Sequence, residues 1–324
     1  MALLPGLILA GILAIAAASI ASFTILPSVL IGLVLGMLLS GRGSDRRYEP
    51  GLTFGSRTVL RVGVALLGAQ VTIPQIIDLG PAAALIATGG LILCLVAGYA
   101  LARALRLSDE LAFLTSAAVA ICGASAALAV SAVLPRSETS ERNAGATVAA
   151  ITVIGTAAMI AYPLIAELAG MDARAAGLFF GASLHEVVQA VGAGFTHSEL
   201  ASEVSATVKL MRVACLAPVV ALIGWWSHRS KVDARGRTPP LLPLFLVGFL
   251  TLAALASIGV IPSAVLPVLR EASRLCLLVA IVALGMKIAP RRLLAFGPRP
   301  LLAIVGQTLI LAGFAFGAVS YWGS

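Results

Sequence analysis

The chain has 324 residues, 60% of them hydrophobic and only 11% charged, with a mean hydropathy of +1.06. Soluble domains carry about 25% charged residues, so the composition excludes an ordinary cytosolic enzyme, a disordered protein and a secreted disulfide scaffold. The net charge of +8 comes from short basic clusters between apolar runs, which is the loop bias of a polytopic membrane protein and not a nucleic-acid footprint.

A crossing needs about 20 apolar residues. Eleven segments qualify, at 2–21, 23–40, 56–78, 81–102, 110–133, 144–168, 174–193, 203–226, 239–260, 267–287 and 298–321. The first two are joined by almost no loop and could form one broken element. The first segment has no basic residue ahead of it, so it reads as a retained helix rather than a signal peptide. The even-numbered loops hold 14 Lys and Arg; the odd-numbered ones hold four, Arg136, Arg142, Arg270 and Arg274. That bias puts the even loops and the N-terminus in the cytoplasm. Trp225-Trp226 and Trp322 fall at opposite membrane boundaries. The expected fold is all-α: one integral membrane domain over 1–324, with about 11 transmembrane helices in a bacterial inner membrane.

Leu67-Gly68 … Gly80-Pro81 recurs as Leu284-Gly285 … Gly297-Pro298, offset by 217. Copies running in opposite directions are typical of secondary transporters. A second pair, Gly123-Ala124-Ser125 and Gly181-Ala182-Ser183, sits mid-span. Small residues there permit close backbone approach, or unwinding that exposes anion-attracting helix N-termini. Loop counting runs these two segments parallel, so they are an inverted pair only if one is re-entrant.

The seventh segment carries His185, Glu186 and Gln189; the eighth carries Lys209 and Arg212 on one face with Ser205. An ionised group at mid-membrane costs about 2.5–3.5 kcal/mol even on lenient scales. These groups therefore face protein or an aqueous cavity. Either Glu186 pairs with Lys209 or Arg212 and merely locks helices, or the cations hold an anion while His185 and Glu186 couple it to protons.

No catalytic signature accompanies them. His185-Glu186-Val187-Val188-Gln189 lacks the second histidine of a zinc motif, and no phosphate-binding glycine loop occurs. The four cysteines are scattered through apolar segments. No enzyme activity, metal or cofactor is expected.

Six stretches resemble the sulfate exporter family of conserved bacterial inner-membrane proteins. They are Leu26-Pro27-Ser28-Val29-Leu30-Ile31-Gly32, Leu60-Arg61-Val62-Gly63-Val64-Ala65-Leu66-Leu67-Gly68, Ile121-Cys122-Gly123-Ala124-Ser125-Ala126, Gly155-Thr156-Ala157-Ala158-Met159, Leu184-His185-Glu186-Val187-Val188-Gln189 and Val208-Lys209-Leu210-Met211-Arg212. That family has His-Asp where this chain has His185-Glu186. The resemblance implies a carrier related to sodium/proton antiporters and bile-acid symporters, with inverted repeats and broken mid-membrane helices.

The combined expectation is a secondary transporter of a small, sulfate-like oxyanion. Its substrate site comprises Cys122, Gly123, Ala124, Ser125, Gly181, Ser183, Gln189, Lys209 and Arg212, with the backbone around both Gly-Ala-Ser tripeptides donating N–H groups. His185 and Glu186 couple transport to protons, with sodium the other possible coupling ion. An anion channel and a non-transporting scaffold or receptor are the alternatives. The sequence gives no oligomeric state.

Overall fold

The computed structural model describes residues 2–24, 28–40, 45–70, 73–135, 139–228, 244–287 and 296–322. Leu26-Pro27 and the loop cations Arg42, Arg136, Arg229, Lys231, Arg235, Arg237, Arg291 and Arg292 lie outside the described residues. Among the described residues there is no strand. In chain order the helices are α1 (Leu4–Ala21), α2 (Ser28–Leu38), α3 (Glu49–Gln70), α4 (Ile73–Asp78), α5 (Gly80–Ala104), α6 (Asp109–Ala117), α7 (Gly123–Val133), α8 (Ser140–Leu168), α9 (Ala173–Ser183), α10 (Val187–His197), α11 (Glu199–Ala214), α12 (Leu216–His228), α13 (Leu244–Ser257), α14 (Leu266–Lys287) and α15 (Pro298–Trp322). Seven described runs are long and apolar enough to cross a membrane: α1, α3, α5, Asp109–Val133, Arg142–Leu168, Glu199–Ser227 and α15. The protein is an all-α, multi-pass membrane protein.

The chain divides into two compact units. One comprises Met1–Gly80, Val191–Glu203 and Pro243–Ala289; the other comprises Pro81–Ala190, Val204–Leu242 and Pro290–Ser324. In the first unit, α1 and α2 are separate helices. Ala10, Ala14 and Ala17 share one buried cluster with Ile31 of α2 and with Leu278, Val282 and Met286 of α14. Side chains this small let helix backbones close up where no water-driven force pushes them together. The offset of 217 carries α3, Glu49–Gln70, onto α14, Leu266–Lys287, end for end. It also carries α2 into α13. The packing is reciprocal. A side chain at Gly68 of α3 would come within 2.9 Å of the Phe249 backbone on α13, and one at Gly285 of α14 within 2.7 Å of Leu33 O on α2. Each copy thus packs on the other copy's partner helix, as a two-fold-related pair does.

In the second unit, α5 and α15 are the next pair. Each starts at a Gly-Pro step with a positive glycine φ, +73° at Gly80 and +85° at Gly297, where a Cβ would be strained. They run antiparallel: Leu101 lies at Gly306, Gly98 at Gln307 and Gly90 at Phe314. Gln307 Nε2 donates to Gly98 O (2.9 Å) and to the Thr115 hydroxyl (3.1 Å).

The run Asp109–Val133 has the length and hydropathy of a crossing helix but folds back on itself. Leu114 and Ala117 of α6 share a buried cluster with Ala129, Val130 and Leu134 of the α7 arm. A continuous helix would separate Leu114 from Val130 by about 24 Å. Asn143, which opens α8, donates to Glu110, which opens α6 (3.3 Å). The fold-back occurs at Cys122-Gly123, after a π-helical turn Ala118–Cys122, with Gly123 at φ +27°. The segment 110–133 is therefore a re-entrant hairpin rather than the predicted span.

The segment 174–193 is also a hairpin, entering from the opposite end. Helix α8 leads away from the first hairpin's mouth and turns at 169–172 into α9, whose Phe179 ring lies 5.1 Å from Tyr162. Helix α9 returns antiparallel to α15, with Phe179 near Phe316 and His185 bonded to Thr308. Its tip is the non-helical stretch Leu184-His185-Glu186. Helices α9 and α10 each pack on α11. Gly181 sits against Ser205 and Val208, while Gly194 sits against Ser202, and Ser202 Oγ donates to Val191 O (3.2 Å). Beyond Arg212 the chain continues through α12 to the first hairpin's mouth, where Gly224 faces Val133. Ile121 and Cys122 at the first tip and Leu184 and His185 at the second are buried, the setting in which broken backbone is tolerated at membrane depth.

Of the second unit's described basic residues outside the tips, Arg103, Arg106, Arg142 and Arg299 lie at the first hairpin's mouth and Arg174 at the second's. Arg142, predicted opposite Arg103 and Arg106, shares their end, because α7 carries the chain back there.

Candidate functional site

The two tips meet beside Lys209 and Arg212 on α11. A helix C-terminus leaves its last carbonyls without intrahelical donors and carries a partial negative charge. Two such ends converge here, Val119–Ile121 from the first hairpin and Gly181–Leu184 from the second. The Lys209 ammonium donates to Ile121 O (2.7 Å) and Leu184 O (2.8 Å). Arg212 Nε donates to Ala120 O (2.9 Å), and Nη2 to Val119 O (2.9 Å) and Ala120 O (2.5 Å). Its Nη1 donates to Gly181 O (3.1 Å), Ala182 O (2.6 Å) and Leu184 O (3.0 Å). Both side chains are 0% exposed. The cations thus cap both negative ends at once, and the partners that fix them are backbone carbonyls.

The opposite helix ends carry the opposite compensation. Gly123 starts α7 and Glu186 immediately precedes α10, so two positive N-termini lie near one carboxylate. A Cβ on Gly123 would sit 2.8 Å from Glu186 Cγ and 3.0 Å from its Oε1, so the carboxylate approaches α7 only because Gly123 has no side chain. Thr152 Oγ1 of α8 donates to Glu186 Oε1 (3.1 Å). Gln189 Oε1 accepts from the Glu186 N–H (3.1 Å), and its Nε2 donates to Thr152 O (3.3 Å). The Gln189 amide fills the space that a side chain at Gly155 would take. Glu186 is only partly buried, and Ser125, two residues into α7, is exposed.

The predicted residues therefore separate by role. Cys122, Gly123, Glu186, Gln189, Lys209 and Arg212 come together at the tips, with Ala124 and Ser125 on the first turn of α7. Gly181, Ala182 and Ser183 end a helix rather than start one. They present carbonyls to Arg212, and Ser183 Oγ donates to Phe179 O of its own helix (2.5 Å), so the expectation that N–H groups there hold an anion is corrected. Arg212 is likewise corrected as a direct anion ligand: all its donors are spent on carbonyls, and what it supplies to the surroundings is charge. His185 is fully buried and points to Thr308 of α15 (2.9 Å). Thr152, Gly155 and Thr308 were not predicted as site residues; only the Gly155-Thr156 stretch of the resemblance lay near any of them.

A family model described as Conserved hypothetical protein 698 matches residues 5–304. The UPF0324 membrane protein TauZ of Paracoccus denitrificans is 42% identical over 313 residues, which cover 96% of this chain and 93% of that protein. The UPF0324 membrane protein RB0971 of Rhizobium meliloti is 40% identical, covering 98% and 93%. The chain belongs to the UPF0324 family. A third member, CT0845 of Chlorobaculum tepidum, is 38% identical over 97% of this chain and 88% of its own. No solved structure matches this UPF0324 protein.

Proposed function

We propose that this UPF0324 protein is a secondary carrier of a small, sulfate-like oxyanion across the bacterial inner membrane. The observation that supports it is the meeting of two re-entrant hairpins, entered from opposite ends, at a buried centre holding two fixed cations. Irregular backbone and uncancelled charge are costly at membrane depth, and a centre of this kind is how carriers offer one site alternately to two sides. Lys209 and Arg212 set a positive potential there. The accessible donors for an anion are the first-turn N–H groups of α7 at Gly123, Ala124 and Ser125, with the Ser125 hydroxyl beside them. The basic excess at the first hairpin's mouth supports a cytoplasmic location for that end, and the loop charge bias of the sequence supports a cytoplasmic N-terminus. The chemistry is movement of a solute, with no bond made or broken in it.

The test is counterflow of labelled sulfate, methanesulfonate, phosphate and acetate in vesicles containing the purified full chain. Saturable, trans-stimulated flux of one class is expected, abolished by Lys209→Met in protein that still inserts. Non-saturating flux without counterflow would establish the channel alternative. No flux of any class would leave the carbonyl-capping cations as a structural lock and favour the scaffold.

A further inference from the structure

His185 and Glu186 are neighbours in sequence, but the structure gives them different chemistry. Thr308 has one hydroxyl proton, and its Oγ1 lies 2.7 Å from Ile304 O, one helical turn back, to which it donates. It must therefore accept from His185, which fixes the proton on Nε2. The other ring nitrogen, Nδ1, is fully enclosed and has no partner. His185 thereby ties the second tip to α15, with its Nδ1 enclosed and without a hydrogen-bond partner.

Glu186 is different on each count. It is partly exposed. Its carboxylate lies against the first turn of a helix on the other hairpin, which is where an anion is attracted. The groups around it include Lys209 on α11, Cys122 at the first tip, Thr152 on α8, and its own neighbours His185 and Gln189. Arg212 lies one turn beyond Lys209 along α11. On the Lys209 face of α11, the Ser205 hydroxyl is fully buried with no hydrogen-bond partner, so a donor stands unused beside the cationic pair. A built-in anion thus already occupies the positive end, and an external oxyanion must replace it or be repelled by it.

We propose that Glu186 is the exchangeable occupant of the oxyanion position: protonation releases its carboxylate from the first turn of α7, the substrate takes its place, and one proton crosses with each anion. The inference rests on the carrier reading above and assigns coupling to Glu186 alone, with His185 a positioning residue. The proton is taken up on the carboxylate on one side of the membrane and returned to water from it on the other, so charge and atoms balance.

The experiment is calorimetry of sulfate binding to the purified full chain in two buffers of different ionisation heat, with vesicle flux alongside. In the wild type, uptake of one proton per sulfate is expected, and affinity should weaken about tenfold per pH unit on the alkaline side. Glu186→Gln should bind sulfate with no proton uptake and no pH dependence. It should keep sulfate–sulfate exchange while losing accumulation driven by a pH gradient. His185→Gln should lower thermal stability and leave the proton count at one. Binding without proton uptake in the wild type, or uptake retained in Glu186→Gln, overturns the inference while the carrier reading stands. If Glu186→Gln fails to insert, the wild-type proton count decides alone. Absence of saturable flux for all four anion classes overturns the carrier reading itself.

Discussion

Arg212 shows how a charge that is prohibitive in isolation becomes structural. Its five N–H donors reach five carbonyls from two broken helices. Each buried carbonyl left unpaired costs about 1–3 kcal/mol. Arg212→Met is therefore expected to remove most folded protein, whereas Arg212→Lys, which keeps the charge but has three donors, should fold with a reduced melting temperature. Thermal unfolding of detergent-purified protein distinguishes the two. Gly155→Ala is expected to displace the Gln189 amide and cost about 1–3 kcal/mol by overpacking, read by the same measurement. The sequence made Lys209 and Arg212 conspicuous, because charge in an apolar run is rare. It could not show that their partners are main-chain carbonyls, since any residue supplies a carbonyl. The His185–Thr308 contact was hidden for a related reason: it joins residues 123 apart through a hydroxyl that no pattern singles out.

At the scale of elements, the apolar runs among the described residues were legible, but two of them, 110–133 and 174–193, turn back where a crossing was expected. Hydropathy and length are the same for a helix that crosses and for one that turns back at Gly123. The signals available were the run of small residues at Ile121–Ala126 and the parallel orientation that loop counting forced on the two Gly-Ala-Ser segments. Those tripeptides are also not equivalent: one opens α7, the other closes α9. The offset of 217 was a sounder guide. It matched two Gly-Pro helix starts that share a positive φ and have open space around them. Gly80→Ala and Gly297→Ala should therefore each cost about 1–2 kcal/mol from backbone strain alone, with similar shifts in melting temperature. A marked difference between the two would argue against equivalent roles.

At the scale of the molecule, the second unit places its two hairpins at opposite ends: α5 ends at the mouth of the first, from which α8 leads away, and α15 runs beside α9 toward the mouth of the second. Trp225 and Trp226 end α12 and Trp322 ends α15, all more than half exposed, at opposite ends of the second unit, where interfacial aromatics belong.

In a carrier of this kind the two hairpins open on opposite sides of the membrane. Single cysteines at Ser108 and Pro135, and at Arg174 and Glu199, placed in a chain lacking its four native cysteines, test it most directly through labelling of oriented vesicles with a membrane-impermeant maleimide. Ser108 and Pro135 should react from one face, and Arg174 and Glu199 from the other. Labelling of Ser108 and Pro135 from opposite faces would mean that 109–133 crosses the bilayer, and the paired-hairpin centre would not exist.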